Sequence, residues 1–475
     1  KAYTLSKNED SPIKYFDAVI VGSGPLGCTF ARKLVEAGYK VAIVEAEASE
    51  SNPPGSHLKN AFRFQKDINL TIHLNHNPDQ DHRLNLRAAA VTYSVGGMGT
   101  HWTCVTPRLR ESERFSNLIP DEEMDELYEK AENYLHTSKD PYNNTMLQTT
   151  VLKALKAHYG EDIPQALPLA VRFKKGDKPD ALSYNFWTGP YDILRKENFE
   201  NKNFTLMDQH LAQFLRPKIN NTSIIDGLMI KNLLKPDNNK ILLNKKIVKE
   251  MLENPTWSED VKKHKEAYPK DPIPIPFGVP LPQCWIPYTD KRPWHVQAHR
   301  DSYAFGETSP NVDNRVILDF RYFGASHNNE ELNNRVEFSK ENKDMFGMPQ
   351  PTFYVRTSES DDETNHKMLN DMTQTALSMG GFLPGNEPQF MPPGSALHIT
   401  GTVRMGTNRE TSVVDTNLCV HGFHNLYLGT AGVIPTAITA NPTLTSVALA
   451  IKSANHIIKK LKEGAFDFES GKSKF

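Results

Sequence analysis

Three short stretches of the sequence concentrate side chains that could do chemistry. Residues 96–104 read GGMGTHWTC, residues 294–299 read WHVQAH and residues 396–401 read ALHITG. Each stretch contains a histidine, whose imidazole titrates near neutral pH and can act as a general base. In every case the histidine could instead be a hydrogen-bonded residue of the core. The helices and strands around each stretch therefore have to distinguish a catalytic role from a structural one.

The first two stretches suggest different kinds of contact. Gly96, Gly97 and Gly99 would let the backbone lie closely against a ligand, because glycine has no side chain to keep the ligand away. His295 and His299 have a spacing that could suit a metal ion. No third ligand lies nearby in the sequence, so we predict no metal site.

The third stretch has a possible partner further along the chain. His398 follows apolar residues and precedes a Thr-Gly pair, a place where an imidazole could face a cavity. Asn441 precedes Pro442 at the start of a predicted helix, where asparagine is more often a cap or turn residue. Taken alone, neither residue identifies a site.

The segment 15–47 has the pattern of a dinucleotide-binding unit. Gly22, Gly24 and Gly27 form GxGxxG after an apolar run, and Glu45 follows a second apolar run. The glycines allow a tight turn and a close approach of a pyrophosphate to a helix N-terminus. Glu45 would accept hydrogen bonds from ribose hydroxyls.

The elements of this unit can be read from the same pattern. Buried parallel strands are predicted at 18–21 and 41–44, with a helix between them that ends at Gly38. An amphipathic helix is predicted at 121–137, and the Lys- and Asn-rich stretch 140–290 reads as an inserted domain.

The C-terminal third returns to a similar pattern. A strand is predicted at 426–428, followed by a turn at Gly429, a polar loop and a helix that begins at Thr443. Residues 425–451 carry no charge, but Pro435 and Pro442 interrupt them, so we predict no membrane span. A unit at each end of the chain is typical of FAD rather than NAD binding.

The composition excludes some partners. The chain has 475 residues, with 55 basic and 57 acidic side chains. This balance argues against nucleic acid or an anionic membrane bound through bulk charge. Its four cysteines show no CxxC spacing, and the length predicts two packed domains.

Several motifs together resemble the glucose-methanol-choline (GMC) flavoprotein oxidoreductases. They are VIVGSGPLG, VGGMGTHWTCVTPR, PWHVQAHRDSYAFG, MPQPTF with GGFLP, and ALHITGTVRMG through NPTLTS. The resemblance covers both ends and much of the middle of the chain. It implies an α/β (α+β overall) fold, with a Rossmann-like FAD-binding domain from both chain ends and a sheet-and-helix substrate-binding domain.

The resemblance implies domain boundaries and roles. The FAD-binding domain would comprise 1–110 and 395–475 with part of 200–250, and the substrate-binding domain would comprise 111–394. The implied catalytic residues are His398 and Asn441; the cofactor-binding residues are Gly22, Gly24, Gly27, Glu45, His101, Thr103, Gly429 and Thr443; the substrate-binding residues are Gln297, Asp301, Tyr303 and Phe305. His101 would bond covalently to the flavin.

The resemblance also implies a reaction. FAD-dependent oxidation of an aldopyranose such as D-glucose at carbon 2, with reduction of O2 to H2O2, is the leading expectation. A sugar dehydrogenase or glycoside 3-oxidase that uses quinones is the second. The third is a non-catalytic relative without FAD. A homo-oligomer, by resemblance a tetramer, and a secreted or periplasmic location are further expectations.

One departure from the family motivates the third alternative. GMC proteins carry an apolar strand that ends in an Ala-Gly-Ala-like turn, and its backbone helps to cover the cofactor. Residues 204–250 contain no such turn, and the region after Phe64 looks short.

Overall fold

The structure is a computed structural model of the chain. It describes residues 15–60, 72–74, 77, 79–80, 85–142, 146–174, 184–234, 281–300, 318–325, 333–382 and 387–466. The sequence-predicted contacts at Asp301, Tyr303 and Phe305 lie outside the described residues.

The described residues form a mixed helix-and-strand protein. The helices are α1 (Pro25–Glu36), α2 (Asp121–Leu135), α3 (Met146–Tyr159), α4 (Pro190–Leu194), α5 (Lys196–Phe199), α6 (Glu359–Ser378) and α7 (Thr443–Lys462). The strands are β1 (Ala18–Val21), β2 (Val41–Val44), β3 (Ile72–Leu74), β4 (Ala90–Thr92), β5 (Thr137–Ser138), β6 (Gln165–Ala166), β7 (Leu169–Lys174), β8 (Tyr184–Trp187), β9 (Phe204–Met207), β10 (His210–Lys218), β11 (Asn221–Asn232), β12 (Leu281–Ile286), β13 (Trp294–Arg300), β14 (Leu318–Gly324), β15 (Arg335–Lys343) and β16 (Pro349–Tyr354).

The predicted strand–helix–strand unit is confirmed. β1 and β2 pair in parallel, with Ala18 opposite Val41 and Val21 opposite Val44. Helix α1 begins with Pro25 in its first turn, where the missing N–H costs nothing. It ends before Gly38, whose φ of +91° favours glycine. β9 pairs in parallel with the other edge of β2, so a strand from 200–250 joins this sheet.

Gly27 is required by the packing of α1 on the first turn. A Cβ placed on Gly27 would lie 2.0 Å from the carbonyl oxygen of Gly22, and that oxygen belongs to backbone that cannot rotate away. The third glycine of the motif therefore serves the close approach of helix and strand.

Replacement of Gly27 by alanine is expected to destabilise this unit by about 3 kcal/mol or more, because the added methyl group overlaps with backbone. Thermal unfolding and bound flavin content measure the effect. Gly324→Ala is the matched control, since its Cβ would meet only Met368 Sδ at 3.7 Å. Equal unfolding midpoints for the two variants would contradict this account of Gly27.

One side of the sheet is open within the described residues. β1 is an edge strand there, and its Val19 and Val21 side chains are 46% and 59% exposed. β10 and β11, which follow β9 in the sequence, form an antiparallel hairpin. Uncovered valines on a first Rossmann strand agree with the departure noted at 204–250, because such strands are normally buried.

The C-terminal helix packs against the N-terminal unit. α7 contacts α1 and α2, and its Leu444, Val447 and Leu449 belong to the main hydrophobic core with Leu34 of α1. The two ends of the chain are therefore joined through helices. No described helix is long and apolar enough to cross a bilayer.

The prediction of a strand at 426–428 was wrong. Tyr427 forms only an isolated bridge with Cys419, and Leu428 N–H donates to the carbonyl of Leu418. Hydrogen bonds within the local 413–428 loops replace those of a sheet strand. A short apolar run specifies a buried segment, but its strand partner must come from elsewhere in the fold.

A second sheet and two helices form the other large packing unit. The strand order is β14-β13-β12-β6, and all three neighbouring pairs are antiparallel. Val296 and Ala298 of β13 point into a core shared with α3 and α6. Because side chains alternate along a strand, His295, Gln297 and His299 face the other way, towards the predicted site.

Candidate active site

His398 lies on an irregular loop that is tied to the protein on both sides. Before it, Leu397 has a positive φ of +55°, which costs a branched residue about 1 kcal/mol. Ala88 N–H donates to the carbonyl of Pro393, and Val403 N–H donates to that of Gly432. The strained backbone is thus held by contacts on either side of His398, as is typical of functional loops.

Asn441 is held by the start of α7. It is 7% exposed, and two residues earlier Thr439 donates from its N–H and its hydroxyl to a buried Glu113 carboxylate, at 2.8 and 2.7 Å. The Asn441 side chain reaches His398, with 3.3 Å between Nδ2 and the imidazole Nε2. The two residues that the resemblance paired are therefore in contact.

Gln297 extends this contact into a network. Its Nε2 donates to Asn441 Oδ1 at 2.6 Å and lies 3.0 Å from His295 Nε2. Its Oε1 lies 3.0 Å from His299 Nε2. Gln297 is 1% exposed and orients Asn441 in this arrangement, and its predicted contact with a sugar stays a prediction.

The amide groups give the network a direction. Asn441 Oδ1 accepts from Gln297, so its Nδ2 is the donor towards His398. His398 Nε2 must then present a lone pair, with the imidazole proton on Nδ1. The atom that faces Asn441 is therefore the basic nitrogen of His398.

Burial keeps the histidines of this site neutral. It lowers the pKa of His398 to about 4, and it lowers that of His295 to about 3 with a smaller contribution from His398. The pKa of His299 also falls well below the ordinary value through burial, and the positive Arg321 adds to the effect. A neutral His398 is the form that can accept a proton.

The histidine pair of WHVQAH is separated by an amide rather than bridged by a ligand. Both rings bond to the single side chain of Gln297. The described residues contain no group of three or more His, Cys, Asp or Glu side chains arranged for a metal ion.

The glycine-rich loop 96–104 packs on the glycine turn of the N-terminal unit. Gly96 N–H donates to Ser23 Oγ at 2.8 Å, and Ser23 Oγ donates to Glu45 Oε2 at 2.7 Å. A Cβ on Gly99 would lie 2.7 Å from Pro25 Cγ. Gly99 therefore has a packing role, and its expected contact with a ligand stays a prediction.

His101 stands at the end of this loop. Its Nε2 lies 2.8 Å from the hydroxyl of Thr92 on β4, and burial lowers its pKa to about 4. The next residue, Trp102, donates from Nε1 to the carbonyl of Thr188 and anchors the loop. The neutral imidazole of His101 keeps a nitrogen lone pair that can act as a nucleophile.

The remaining predicted cofactor residues lie around the same unit. Thr103 is half-buried beside His101, and Thr443 opens α7 two residues after Asn441. A Cβ on Gly429 would come within 2.5 Å of the Phe30 ring of α1. Gly429 is thus needed for contact with α1.

The residues of the N-terminal unit fit FAD. No atom lies within 4 Å of the position that a Cβ on Gly22 would occupy. This space leaves room for a pyrophosphate at the N-terminus of α1. Glu45 accepts two hydrogen bonds from Ser23 and one from Ala46. A carboxylate has about four acceptor sites, so Glu45 can still accept a ribose hydroxyl.

Lys59 is a buried cation close to His101 that the sequence did not indicate. Its Nζ is shielded from water, makes no hydrogen bond within the described chain and lies 4.2 Å above the Trp187 ring. Burial lowers the pKa of this ammonium to about 8. The nearby His57 accepts a hydrogen bond from Lys59 N–H at Nδ1, and its Nε2 lies 3.0 Å from the carbonyl oxygen of Trp102. His57 therefore links Lys59 to the loop that carries His101. No motif distinguishes this lysine from the others.

Comparisons with known proteins identify relatives of the chain. The family model "GMC oxidoreductase" matches residues 331–450. Pyranose 2-oxidase of Tricholoma matsutake is 34% identical over 550 aligned positions, which cover 96% of each chain. C-glycoside 3-oxidase of Microbacterium trichothecenolyticum is 27% identical and covers 94% of this chain and 97% of its own.

A solved structure shows the same fold. The crystal structure of formate oxidase matches with a TM-score of 0.63 at 14% identity, over 94% of this chain and 99% of that one. The alignment with the Tricholoma enzyme has 550 positions against 475 residues, so at least 75 positions face gaps in this chain. The near-complete coverage at 34% identity shows that the chain belongs to the pyranose 2-oxidase family of the GMC oxidoreductases, which are flavoprotein enzymes.

Proposed function

We propose that the chain is an FAD-dependent oxidase that converts aldopyranoses such as D-glucose into 2-keto sugars and reduces O2 to H2O2. One observation carries the proposal. The hydrogen bonds from Gln297 through Asn441 leave the lone pair of a neutral His398 Nε2 facing the Asn441 amide. Relatives that are named pyranose 2-oxidase and align over nearly the whole chain support the choice of substrate and position.

The N-terminal unit would hold the cofactor. Gly22 and Gly24 would border the pyrophosphate, Glu45 would accept the ribose hydroxyls and His101 would bond to the flavin ring. When bound, FAD would supply the hydride acceptor for the oxidation and the means of transferring two electrons to O2. Gly429 and Thr443 complete the contacts from the C-terminal end.

The residues of the site then do two things. His398 Nε2 takes the proton of the substrate hydroxyl as the C–H bond at the same carbon breaks and its hydride leaves. In the free protein Asn441 Nδ2 donates to His398 Nε2; with substrate bound, it would instead donate to the same oxygen and hold it beside Nε2. Burial of Asn441, Gln297 and His295 keeps water from the hydrogen bonds that hold the base.

Two alternatives follow from specific observations. Relatives named C-glycoside 3-oxidase and fructose dehydrogenase large subunit favour oxidation at another position, or quinone as the acceptor. The absence of an Ala-Gly-Ala-like turn in residues 204–250 is the observation behind the other alternative, a non-catalytic relative that has lost FAD.

Product analysis separates these functions. Purified protein is expected to be yellow, to lose its flavin absorbance with D-glucose in the absence of O2, and to form one H2O2 per sugar in air. Carbon-13 NMR of the product is expected to show a carbonyl at carbon 2. A carbonyl at carbon 3 or faster turnover with quinones would support the second function. Protein that stays colourless after incubation with FAD would support the third.

The assembly and location follow from the resemblance alone. We propose a homotetramer that acts outside the cytoplasm, on a monosaccharide with O2 or quinone as the second substrate. The near-neutral charge balance argues against a nucleic-acid partner. Light scattering of the purified protein measures the number of copies.

A further inference from the structure

An aromatic ring stacks on the proposed base. The centroids of the Phe323 and His398 rings are 5.6 Å apart, and the ring planes are inclined by 23°. Phe323 lies near the end of β14, whereas His398 lies on an irregular loop. The flat face of the imidazole is therefore set against a ring that a sheet holds in place.

The sheet fixes Phe323 through its neighbours. His295 is directly opposite Phe323 in the β13–β14 register, and the two rings meet edge to face at 5.5 Å. Trp285 of β12 closes the row, with its ring 5.3 Å from that of His295. A continuous row of rings thus runs from the second sheet to His398.

The imidazole of His398 has two restraints within the described part of the chain. Asn441 acts at Nε2, over a long 3.3 Å contact. A single hydrogen bond lets a ring rotate about the line that joins the two atoms, and the stack against Phe323 restricts that rotation. The stack therefore restrains the rotation that the contact with Asn441 leaves free.

We propose that Phe323 is a positioning residue for His398, which fixes the plane of the imidazole so that its Nε2 lone pair points at the substrate hydroxyl. The inference rests on the proposed role of His398 as base. It adds a second supporting side chain to the Asn441 contact and explains why an aromatic ring lies at this point of β14.

The test replaces Phe323 by leucine, which keeps an apolar side chain but has no flat face. The flavin-reduction rate at saturating D-glucose is expected to fall about ten- to hundredfold with a nearly constant KM, because small misplacements of a catalytic group cost that much. Phe323→Tyr keeps the ring face and should restore most of the rate. Phe320→Leu on the same strand is the matched control, since Phe320 packs in the core of the second sheet.

A spectroscopic readout does not depend on activity. In protein with carbon-13-labelled histidine, the imidazole proton resonances of His398 are identified by their loss in His398→Ala. We expect the stacked ring of Phe323 to shift these resonances upfield in the unaltered protein, and we expect them to move downfield in Phe323→Leu. Unchanged NMR positions, or a Phe323→Leu variant with the full reduction rate, would overturn the inference. If His398→Ala itself reduced flavin normally, the proposed function would fail while the NMR shift still tested the stack.

Discussion

Replacement of His398 by alanine is expected to leave flavin bound but to slow its reduction by D-glucose at least about a hundredfold, the scale of a lost general base. The methyl group cannot accept the hydroxyl proton, and Asn441 loses its 3.3 Å partner. Stopped-flow absorbance of the flavin without O2 measures the rate directly, and the visible spectrum reports the bound cofactor. Reduction at the unaltered rate would remove His398 from the mechanism.

The pH dependence checks the same assignment. His398 works only in its neutral form, and burial lowers its pKa from an ordinary value of about 6.5 to about 4. The reduction rate should therefore stay level from pH 8 down to about pH 5 and fall as the pH approaches 4. A decline centred near pH 6.5 would mean that the base is more exposed to water than His398 is.

Replacement of His101 by alanine is expected to abolish covalent attachment of the flavin altogether. The imidazole of His101 is neutral because burial lowers its pKa to about 4, so it has a nucleophilic lone pair that alanine lacks. Acid precipitation should leave the unaltered protein yellow and release the flavin of the variant into the supernatant. Intact mass should differ by one FAD beyond the substitution.

A surface histidine provides the control for this variant. His366→Ala removes an exposed imidazole from α6, far along the chain from the loop, and should keep the acid-stable colour. If His101→Ala kept acid-stable flavin, another residue would have to form the bond. If the unaltered protein released its flavin in acid, the link would be absent and His101 would only contact the ring.

The stability account of Gly27 illustrates what local sequence can predict. Three glycines between two apolar runs require a tight turn and a helix packed closely on a strand, and both are properties of residues within a few positions of one another. The C-terminal helix is equally local, because its apolar spacing and the proline before it define its start.

One local interpretation failed, and one packing contact was missed, where distant partners decided. Residues 426–428 are apolar enough for a strand but find no strand to pair with in the described chain. The packing of Pro25 and Pro190 against the Cα of Gly99 was not indicated by the sequence. In both cases the missing information was the identity of the neighbour.

By itself the sequence determined the nucleotide-binding unit, the helix that returns to it and the family motifs that single out His398, Asn441 and His101. Only the tertiary structure decided how the site works. Gln297, Asn441 and His398 come from a strand, a helix start and a loop, and their hydrogen bonds determine which nitrogen of His398 is basic. The stack of Phe323 on His398 depends on strand register and loop placement, which arise from packing between elements far apart in the chain.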